Sequence, residues 1–365
     1  MYLSDRVKNK AKEIGFDMVG ISSAEPFHKA YETLKKRKLS QFVNNDIQLL
    51  TDPGKHLKSA SSIIALGLSY ASEDNISNSK NDQFISLYAR GKDYHLVMQE
   101  KINLLIDYLN KIEKNLEYVA YSDTGPILDR EVAYRAGLGW FGKNNNLINP
   151  VYGSFIILGE IITNLKMKYD KPIESKCGDC NLCIKNCPTS ALKDYNLEAD
   201  KCLSYITQKK GIISEDNRIL IGNNLWGCDR CLEICPYNKD IPVNLHEEFI
   251  PKIKGDIKEV LSFTKDNIPE DWKKSALSWR GLRILKRNSI INIANNRNAE
   301  YIPLLKKELN NNSPILRAYV VWALGKLNKE KAIDLLKKHY KKENNRIVKG
   351  EIKDMFKFNG WGDIL

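Results

Sequence analysis

The sequence predicts an α+β protein of several domains, and three observations support this fold class. Residues 1 to about 165 alternate between helix-like and strand-like spacing of apolar residues. All eight cysteines lie between Cys177 and Cys235. The last ~90 residues repeat with a period of roughly 30. We therefore expect an α/β domain over 1–165, a cysteine-bearing module over 166–245 and a helical repeat domain over 246–365.

The first segment contains alternating helix and strand signals. Apolar residues recur at three- and four-residue spacing in three stretches, which predicts amphipathic helices. These are Asp5–Ile14, Tyr94–Lys114 and Leu128–Ala136. Short runs rich in branched and aromatic residues predict strands. These are Met18–Ile21, Ser62–Tyr70, Leu116–Tyr121 and the stretch Asn146–Thr163, which is interrupted by a turn at Pro150–Gly153.

The glycines Gly137, Gly139 and Gly142 match the spacing of a dinucleotide-binding loop. That loop requires a strand before the glycines and a helix after them. Here a predicted helix precedes them and a polar run of Lys and Asn follows. We therefore interpret the segment as a helix C-cap and turn, or as a loop whose backbone approaches a large cofactor.

The cysteines form a ferredoxin-type pattern. The run Cys177-Gly-Asp-Cys180-Asn-Leu-Cys183-Ile-Lys-Asn-Cys187-Pro has the spacing of bacterial two-cluster ferredoxins, in which the fourth thiol binds the other cluster. The second run, Cys228-Asp-Arg-Cys231-Leu-Glu-Ile-Cys235-Pro, lacks one early cysteine. Cys202 is the one thiol outside both runs and fills that place.

This spacing predicts two [4Fe–4S] clusters. The first set of ligands is Cys177, Cys180, Cys183 and Cys235, and the second is Cys187, Cys202, Cys228 and Cys231. Structural zinc also uses Cys-x-x-Cys pairs. Zinc needs neither the threefold run nor the two Cys-Pro endings, so we favour the clusters. They imply one-electron transfer to an acceptor that the cysteines do not identify.

The C-terminal segment carries two echoes of the same pattern. Arg287-Asn-Ser-Ile-Ile is followed 30 residues later by Arg317-Ala-Tyr-Val-Val, and Ile302-Pro-Leu-Leu-Lys-Lys returns at Ile333-Asp-Leu-Leu-Lys-Lys. A third unit begins at Arg346. Paired helices at this period are typical of HEAT-like repeats, and so few units need the rest of the chain for stability.

The net charge of +12 is confined to this segment. Residues 272–365 contain 21 Lys and Arg against 8 Asp and Glu, whereas the preceding residues are nearly neutral. A solvated lysine-rich helix face is one interpretation. We favour a surface that binds a polyanion, because the excess is so localised. We refer to four lysines of this segment as the tail lysines: Lys306, Lys307, Lys337 and Lys338.

Several function classes lack support in the sequence. No apolar run approaches the ~20 residues of a membrane span, and the N-terminus has neither a signal-peptide core nor a twin-arginine pair, so we expect a cytoplasmic protein. The chain contains no His-Glu-x-x-His, nucleophile elbow or Walker loop, so the sequence gives no support for the hydrolase and NTPase classes.

Three titratable side chains in the first segment have ordinary structural interpretations. Asp123, in Ser-Asp-Thr-Gly-Pro, suits a turn in which its carboxylate binds nearby backbone amides. Asp129 is expected to be an acid on a helix surface, and His95 a cap or surface residue at a helix start. His95 ends the segment Tyr-Ala-Arg-Gly-Lys-Asp-Tyr-His, which is rich in side chains that bind anions or stack.

Taken in order, these motifs resemble the epoxyqueuosine reductase family. The resemblance covers nearly the whole chain and also includes Ala-Gly-Leu-Gly-Trp-Phe-Gly-Lys-Asn, Tyr-Ile-Thr-Gln-Lys-Lys-Gly and Trp-Gly-Cys-Asp. It implies a nitroreductase-like α/β domain that holds base-off cobalamin, fused to the two-cluster module and the HEAT-like repeats. It further implies reduction of epoxyqueuosine to queuosine at the wobble position of transfer RNA by a monomer supplied by an external electron donor.

The resemblance also implies roles for individual residues. Asp123 would give a proton to the opening epoxide, and burial beside the corrin would raise the pKa of its carboxyl. Cobalamin contacts would come from six further residues: Ser86, Leu147, Leu158, Ser204, Lys210 and Asp229. Transfer RNA would contact Lys209, Lys210 and the tail lysines. Leu50 departs from the family, whose members tend to have Arg there, so a contact from that position is in doubt.

Two other readings of the same features compete with this one. A cobalamin-dependent reductive dehalogenase would share the chemistry, but such respiratory enzymes usually carry a twin-arginine signal and gain nothing from a basic repeat tail. A ferredoxin-like carrier with an interaction tail would leave the α/β domain of the first ~165 residues without a role.

Overall fold

The computed structural model describes residues 2–37, 39–40, 42–73, 83–327 and 329–361, with the side chains of 329–331 excepted. Its helices are α1 Leu3–Ile14, α2 His28–Leu34, α3 Ile47–Thr51, α4 Tyr94–Ile112, α5 Asp129–Arg135, α6 Leu182–Lys185, α7 Leu203–Gln208, α8 Glu215–Ile221, α9 Arg230–Glu233, α10 Ile257–Ser262, α11 Glu270–Lys273, α12 Leu282–Asn295, α13 Ile302–Glu308, α14 Pro314–Leu327, α15 Lys329–Lys342 and α16 Arg346–Asn359. None of these helices combines the length and apolar composition needed to cross a bilayer.

A four-stranded antiparallel sheet, ordered β1-β2-β7-β4, organises the first part of the chain. The strands are β1 Met18–Ser23, β2 Ser62–Ser69, β3 Phe84–Ile85, β4 Tyr118–Tyr121, β5 Trp140–Phe141, β6 Leu147–Ile148, β7 Ile156–Thr163, β8 Leu192–Lys193, β9 Asn196–Leu197 and β10 Asn224–Trp226. Every residue of β2 is buried, as expected for a central strand covered on both faces. Helices α4 and α5 both pack against β7.

The predicted elements of this part are present with small shifts of their ends. The stretch predicted as strands around Pro150–Gly153 divides into β6 and β7, with Asn149 and Gly153 bridged between them. The predicted helix C-cap is also confirmed, since Gly137 follows α5 with φ +72° and its N–H donates to Tyr134 O at 3.0 Å. A Cβ on Gly139 would lie 2.3 Å from the Ile148 carbonyl oxygen, so close backbone packing requires this glycine.

By packing of the backbone the chain divides into two units that interleave in sequence. Unit 1 contains Met1–Asn75, Arg90–Cys202 and Asp229–Lys252, and unit 2 contains Ile76–Ala89, Leu203–Cys228 and Ile253–Leu365. The three functional segments expected from the sequence stay a prediction, because these units are defined by proximity in space. Each unit is assembled from three separate stretches of chain.

Unit 2 is built around the repeat helices α12, α14 and α16. Helix α14 packs on both α12 and α16, and α13 and α15 pack on α14. The two predicted echoes therefore correspond to α12–α13 and α14–α15, and α16 begins at the predicted third start, Arg346. The pair Arg317–Glu343 joins α14 to the end of α15, with Arg317 Nε 2.7 Å from Glu343 Oε2.

A buried arginine on α12 ties the repeats to α7. Arg287 is fully buried, and its guanidinium donates to the carbonyl oxygens of Thr207 at 2.8 Å, Ile206 at 3.4 Å and Lys209. Asn288 adds bonds to the carbonyls of Thr207 and Leu225. The bonds to Ile206, Thr207 and Lys209 satisfy carbonyls at the end of α7 that the helix leaves without intrahelical donors.

Unit 2 also contains a short parallel strand pair, formed by β3 and β10. Ser86, after β3, donates its N–H to Trp226 O at 2.8 Å. Gly227 has φ +71°, and a Cβ there would lie 2.3 Å from Ser86 Oγ, so this crossing requires glycine. The segment that carries Ser86 is thereby fixed within unit 2.

Candidate active site

Asp123 lies on a tight loop between β4 and α5 in unit 1. Its φ of 58° is left-handed, a conformation that aspartate tolerates better than most residues. Ser122 Oγ donates to Leu158 O at 3.0 Å and anchors the loop to β7. A Cβ on Gly125 would lie 2.4 Å from Tyr121 Cβ, so this glycine allows the loop to turn back on its strand. The Asp123 side chain is 58% exposed and open to a ligand.

Two side chains from the start of α4 contact the Asp123 carboxylate. Tyr94 Oη donates to Asp123 Oδ2 at 2.5 Å, and His95 Nε2 lies 3.4 Å from the same oxygen. Asp93, the N-cap of α4, accepts from the His95 backbone N–H and lies 2.7 Å from His95 Nδ1. The Tyr94 and His95 rings are stacked with centroids 4.1 Å apart. The N-terminus of α4 therefore positions both groups on Asp123.

These contacts set the protonation of the cluster. Burial lowers the pKa of His95, but its hydrogen bonds to Asp123 and Asp93 outweigh this and raise the pKa to about 9. Desolvation raises the pKa of Asp123, but hydrogen bonds from His95 and Tyr94 outweigh it and leave the pKa below its ordinary value. The rise in the Asp123 pKa expected from burial beside the corrin concerns the site with its cofactor and stays a prediction. At neutral pH the arrangement is an imidazolium–carboxylate pair.

Asp129 is not the surface acid that the sequence suggested. It is the first residue of α5, and its Oδ1 is buried. Burial and the charge of Asp123 raise the pKa of Asp129 to about 7. Its neighbour Glu160, on β7, is 1% exposed, and burial together with the charge of Asp129 raises its pKa well above the ordinary value. The prediction failed because Asp129 points inward toward another acid.

The sequence reasoning missed three side chains of this site. His95 was interpreted as a cap or surface residue, and Tyr94 and Glu160 were given no role. Glu160 carries a usable signal, since it is a lone acid within the apolar strand Ile-Ile-Leu-Gly-Glu-Ile-Ile-Thr. An acid placed there is buried and therefore has a shifted pKa or a partner.

The first predicted set of cluster ligands surrounds one cavity in unit 1. Cys177, Cys180, Cys183 and Cys235 line a cavity of about 220 Å³. The other lining residues are Lys143, Asn144, Ile148, Lys176, Leu182, Pro236 and Tyr237. Burial raises the pKa of the Cys183 and Cys235 thiols, and each is raised further by neighbouring thiols of the set. Four convergent thiols beside two lysines fit an anionic iron–sulfur cluster.

The cysteine runs form short helices that pack together in the same unit. Cys183 lies on α6 and Cys231 on α9, and these two helices are in contact. In the described part of the chain no group of His, Cys, Asp or Glu is placed to hold a single metal ion.

The second predicted set of cluster ligands is Cys187, Cys202, Cys228 and Cys231. Burial raises the pKa of Cys187, but hydrogen bonds from the Thr189 hydroxyl and from backbone N–H groups outweigh this and lower it. Such bonds stabilise a thiolate, the form that binds iron. Cys202 directly precedes α7. Cys228 ends the Leu203–Cys228 stretch of unit 2, and the ligand set of this cluster stays a prediction.

The predicted cobalamin contacts fall in both units. In unit 1, Leu147 is buried in a core cluster against which Leu158 packs, and Asp229 is the buried N-cap of α9. In unit 2, Gln208 Nε2 donates to Ser204 Oγ and to Tyr88 Oη, and Trp226 Nε1 donates to the same Tyr88 oxygen. Within unit 2 the structure thus brings Ser204 together with the segment that carries Ser86. Lys209 is half-buried and Lys210 exposed, directly after α7. These assignments stay predictions.

The other singled-out positions have clear surroundings. Lys306 and Lys307 are exposed on α13, and Lys338 is exposed on α15. Lys337 is half-buried, with its Nζ 6.0 Å from the Phe356 ring. Leu50 is 3% exposed, and its carbonyl accepts from Leu128 N, so its side chain belongs to the protein interior. A role for the tail lysines stays a prediction.

Three family profiles match the chain. Residues 51–124 match the family described as Epoxyqueuosine reductase QueG, DUF1730. Residues 176–238 match the 4Fe-4S double cluster binding domain, and residues 282–355 match HEAT repeats. These matches confirm the predicted α+β architecture with a two-cluster module and HEAT-like repeats, and they confirm two [4Fe–4S] clusters as its inorganic cofactors.

Similar proteins match over almost the full length. The epoxyqueuosine reductase of Bacillus cereus is 37% identical over 94% of this chain and 93% of its own, and that of Bacillus subtilis is 35% identical over 96% and 94%. A crystal structure of epoxyqueuosine reductase with a tRNA-Tyr epoxyqueuosine-modified stem loop is 34% identical, with a TM-score of 0.94 and coverage of 98% and 99%. The chain belongs to the epoxyqueuosine reductase family.

Proposed function

We propose that this chain reduces epoxyqueuosine in transfer RNA to queuosine, the last step in making that base. The observation that carries the proposal is Asp123, held by Tyr94 and His95 on an open loop. Family membership supports the reaction, and the solved relative with a modified stem loop supports a transfer RNA substrate. The alternative of a reductive dehalogenase is not favoured, since the curated relatives named above are epoxyqueuosine reductases.

Base-off cobalamin is the proposed organic cofactor. When bound, it supplies the two electrons that removal of the epoxide oxygen requires. In unit 1 the ring nitrogens of His56 and His95 are already engaged, so neither imidazole would be offered to the cofactor. His56 Nδ1 and Nε2 lie 3.1 Å from Tyr121 Oη and 2.7 Å from Leu49 O, and both nitrogens of His95 face carboxylates. Its proposed contacts are those named above: Ser86, Leu147, Leu158, Ser204, Lys210 and Asp229.

The residues around Asp123 would handle one proton of the reaction. Before substrate binds, this proton is on His95, whose pKa of about 9 keeps the imidazole charged at neutral pH. As negative charge develops on the epoxide oxygen, the His95 Nε2 proton passes to the Asp123 carboxylate, which delivers it to that oxygen. Tyr94 Oη holds the carboxylate in one orientation while this occurs. General acid catalysis of this kind contributes ~10²–10⁴ in rate.

The clusters would feed electrons inward one at a time from an external donor of unidentified nature. Lys209, Lys210 and the tail lysines would contact phosphates of transfer RNA, because their charges are exposed or half-exposed. We further propose that the protein acts in the cytoplasm as a monomer.

The test is deoxygenation of transfer RNA that bears epoxyqueuosine. Protein with both clusters and cobalamin is mixed with a chemical one-electron reductant, and the released nucleosides are analysed by mass for loss of one oxygen atom. Asp123→Asn should retain cobalamin and both clusters and lose ~10²–10⁴ in rate. Asp107→Asn, an exposed acid further along α4, is the matched control and should be unaffected. Absence of product with the loaded wild type would contradict the function, and a fully active Asp123→Asn would contradict the role of this residue.

A further inference from the structure

Two buried carboxyls lie behind the Asp123 loop, and the proposed function has no use for them so far. Glu160 is on β7 directly opposite Tyr121 of β4, and it is 1% exposed. Asp129 opens α5, which packs on β7. The charges of Asp129 and Asp123 both act on Glu160, and the charge of Asp123 acts on Asp129. The three acids therefore form one cluster.

Asp129 and Glu160 lack the hydrogen-bond donors that two buried carboxylates would need. Among the described residues, Asp129 Oδ1 and both Glu160 oxygens are buried without a hydrogen-bond partner. The charged or titratable groups that face the pair are Asp123, Arg130 and Tyr121. Arg130 donates to the Asn145 carbonyl and attracts Asp129 only through space. Since buried like charges cannot both persist, one acid keeps its proton and donates it to the other.

The chemistry requires a second proton. Removal of the epoxide oxygen breaks two C–O bonds, consumes two electrons and two protons, and yields an alkene and one water. The pair formed by His95 and Asp123 holds one proton at neutral pH. A site that excludes bulk water under a bound transfer RNA needs a store for the other.

We propose that Asp129 and Glu160 hold the second proton and deliver it to Asp123. This inference rests on the proposed function. The first proton leaves through Asp123 to the epoxide oxygen. The second leaves the pair, whose charge changes from −1 to −2, and reaches the Asp123 carboxylate through water held under the bound transfer RNA, to be passed to the same oxygen. The pair is refilled from solvent after product leaves, and Arg130 limits the cost of the intermediate charge.

The raised pKa values of both acids agree with a retained proton. Burial is the largest cause for each, and the charge of Asp123 adds to it. Burial and the charge of Asp129 raise the pKa of Glu160, so Glu160 is the acid that keeps the shared proton. Glu160→Gln removes that acid and leaves Asp129, which should lose its proton at lower pH. Glu131→Gln is the matched control, because Glu131 is on the same helix and is also raised by burial but faces Arg135 and Lys29.

The first measurement needs neither substrate nor cobalamin. Infrared difference spectra of the full chain with its clusters, titrated between about pH 5 and 9, report the carbonyl stretch of protonated carboxyls. Wild type and Glu131→Gln should keep one such band at neutral pH, and Glu160→Gln should lose it at least about one pH unit earlier. A wild type with no protonated carboxyl at neutral pH overturns the proposal, whatever the enzyme's activity.

The second measurement is the single-turnover rate of deoxygenation against pH with the loaded enzyme. Glu160→Gln should match wild type below about pH 6 and be at least ~10-fold slower near pH 8, because its alkaline limb moves to lower pH. An unchanged profile would mean that His95 or solvent supplies both protons, and it overturns the proposal. A purely structural role would lower the melting temperature and leave the limb in place, which also overturns it. If Glu160→Gln does not fold, Asp129→Asn is tested by the same two measurements.

Discussion

Replacement of Arg287 with methionine should loosen the end of α7. The variant keeps an unbranched side chain of similar length but loses the bonds to three carbonyls, those of Ile206, Thr207 and Lys209. Thr207 O retains Asn288 Nδ2 as a donor. The change therefore acts on the backbone that leads into Lys209 and Lys210.

The magnitude follows from two opposing effects. Hydrogen bonds from a charged donor contribute ~1.5–3 kcal/mol each. Burial lowers the pKa of Arg287 from 12.5 to about 10, which corresponds to roughly 3 kcal/mol of unfavourable desolvation that methionine relieves. Since three carbonyl bonds outweigh that relief, we expect a net local loss of roughly 2–4 kcal/mol. At neutral pH the guanidinium is still charged, so the bonds are present in the wild type.

The assay is amide hydrogen exchange of Leu203–Gln208 in the full chain. A loss of this size lowers protection by roughly 30- to 1,000-fold. Arg283→Met, an exposed arginine on the same helix, is the control and should not change exchange in α7. Equal protection of α7 in Arg287→Met and wild type would refute the inference that this arginine holds the segment.

Three further predictions concern other parts of the chain. Cys202→Ala should lower iron from about eight to about four per chain, or leave a three-iron remnant, in an anaerobic reconstituted sample; full iron content would contradict the second ligand set. Reversing the charge of the tail lysines should weaken binding of whole transfer RNA by ~1–2 kcal/mol and flatten its dependence on salt, and identical salt titrations would mean a merely solvated face. The hydrogen bonds from Arg317 lower the pKa of Glu343 from 4.5 to about 2, so their stabilisation should be complete above pH 4.5 and lost as pH falls toward 2. Acid unfolding of wild type should therefore be steeper over that range than that of Glu343→Gln.

Much of the fold could be predicted from short sequence patterns, because residues close together in the sequence determine those structures. The four thiols of the first cluster are close in sequence or end a Cys-Pro turn, and they do surround one cavity. The repeat helices were found because stacking imposes a regular apolar period. The interior of the sheet followed from strands such as Ser62–Ser69, whose residues are all apolar or small.

The active site was predicted less well because its chemistry depends on long-range contacts. Asp123 meets His95 and Tyr94, which lie 28 and 29 residues earlier in the chain, and their hydrogen bonds outweigh the effect of burial and lower its pKa. Asp129 was expected on a surface because a seven-residue helix shows too little periodicity to assign its buried face. The position of Arg287 could not be foreseen either, since its partners lie about 80 residues earlier.

The interleaving of the two units governs the order in which they can form during translation. Phe84 is synthesised 140 residues before Asn224, its partner in the parallel pair, an interval on the order of ten seconds at ribosomal speed. Unit 1 needs residues up to Lys252, so the thiols of Cys177, Cys180 and Cys183 emerge before Cys235 can join them. A nascent chain that stops before Lys252 contains neither unit complete. Slower synthesis with ample iron–sulfur assembly capacity should therefore raise the yield of full-length protein that carries its clusters.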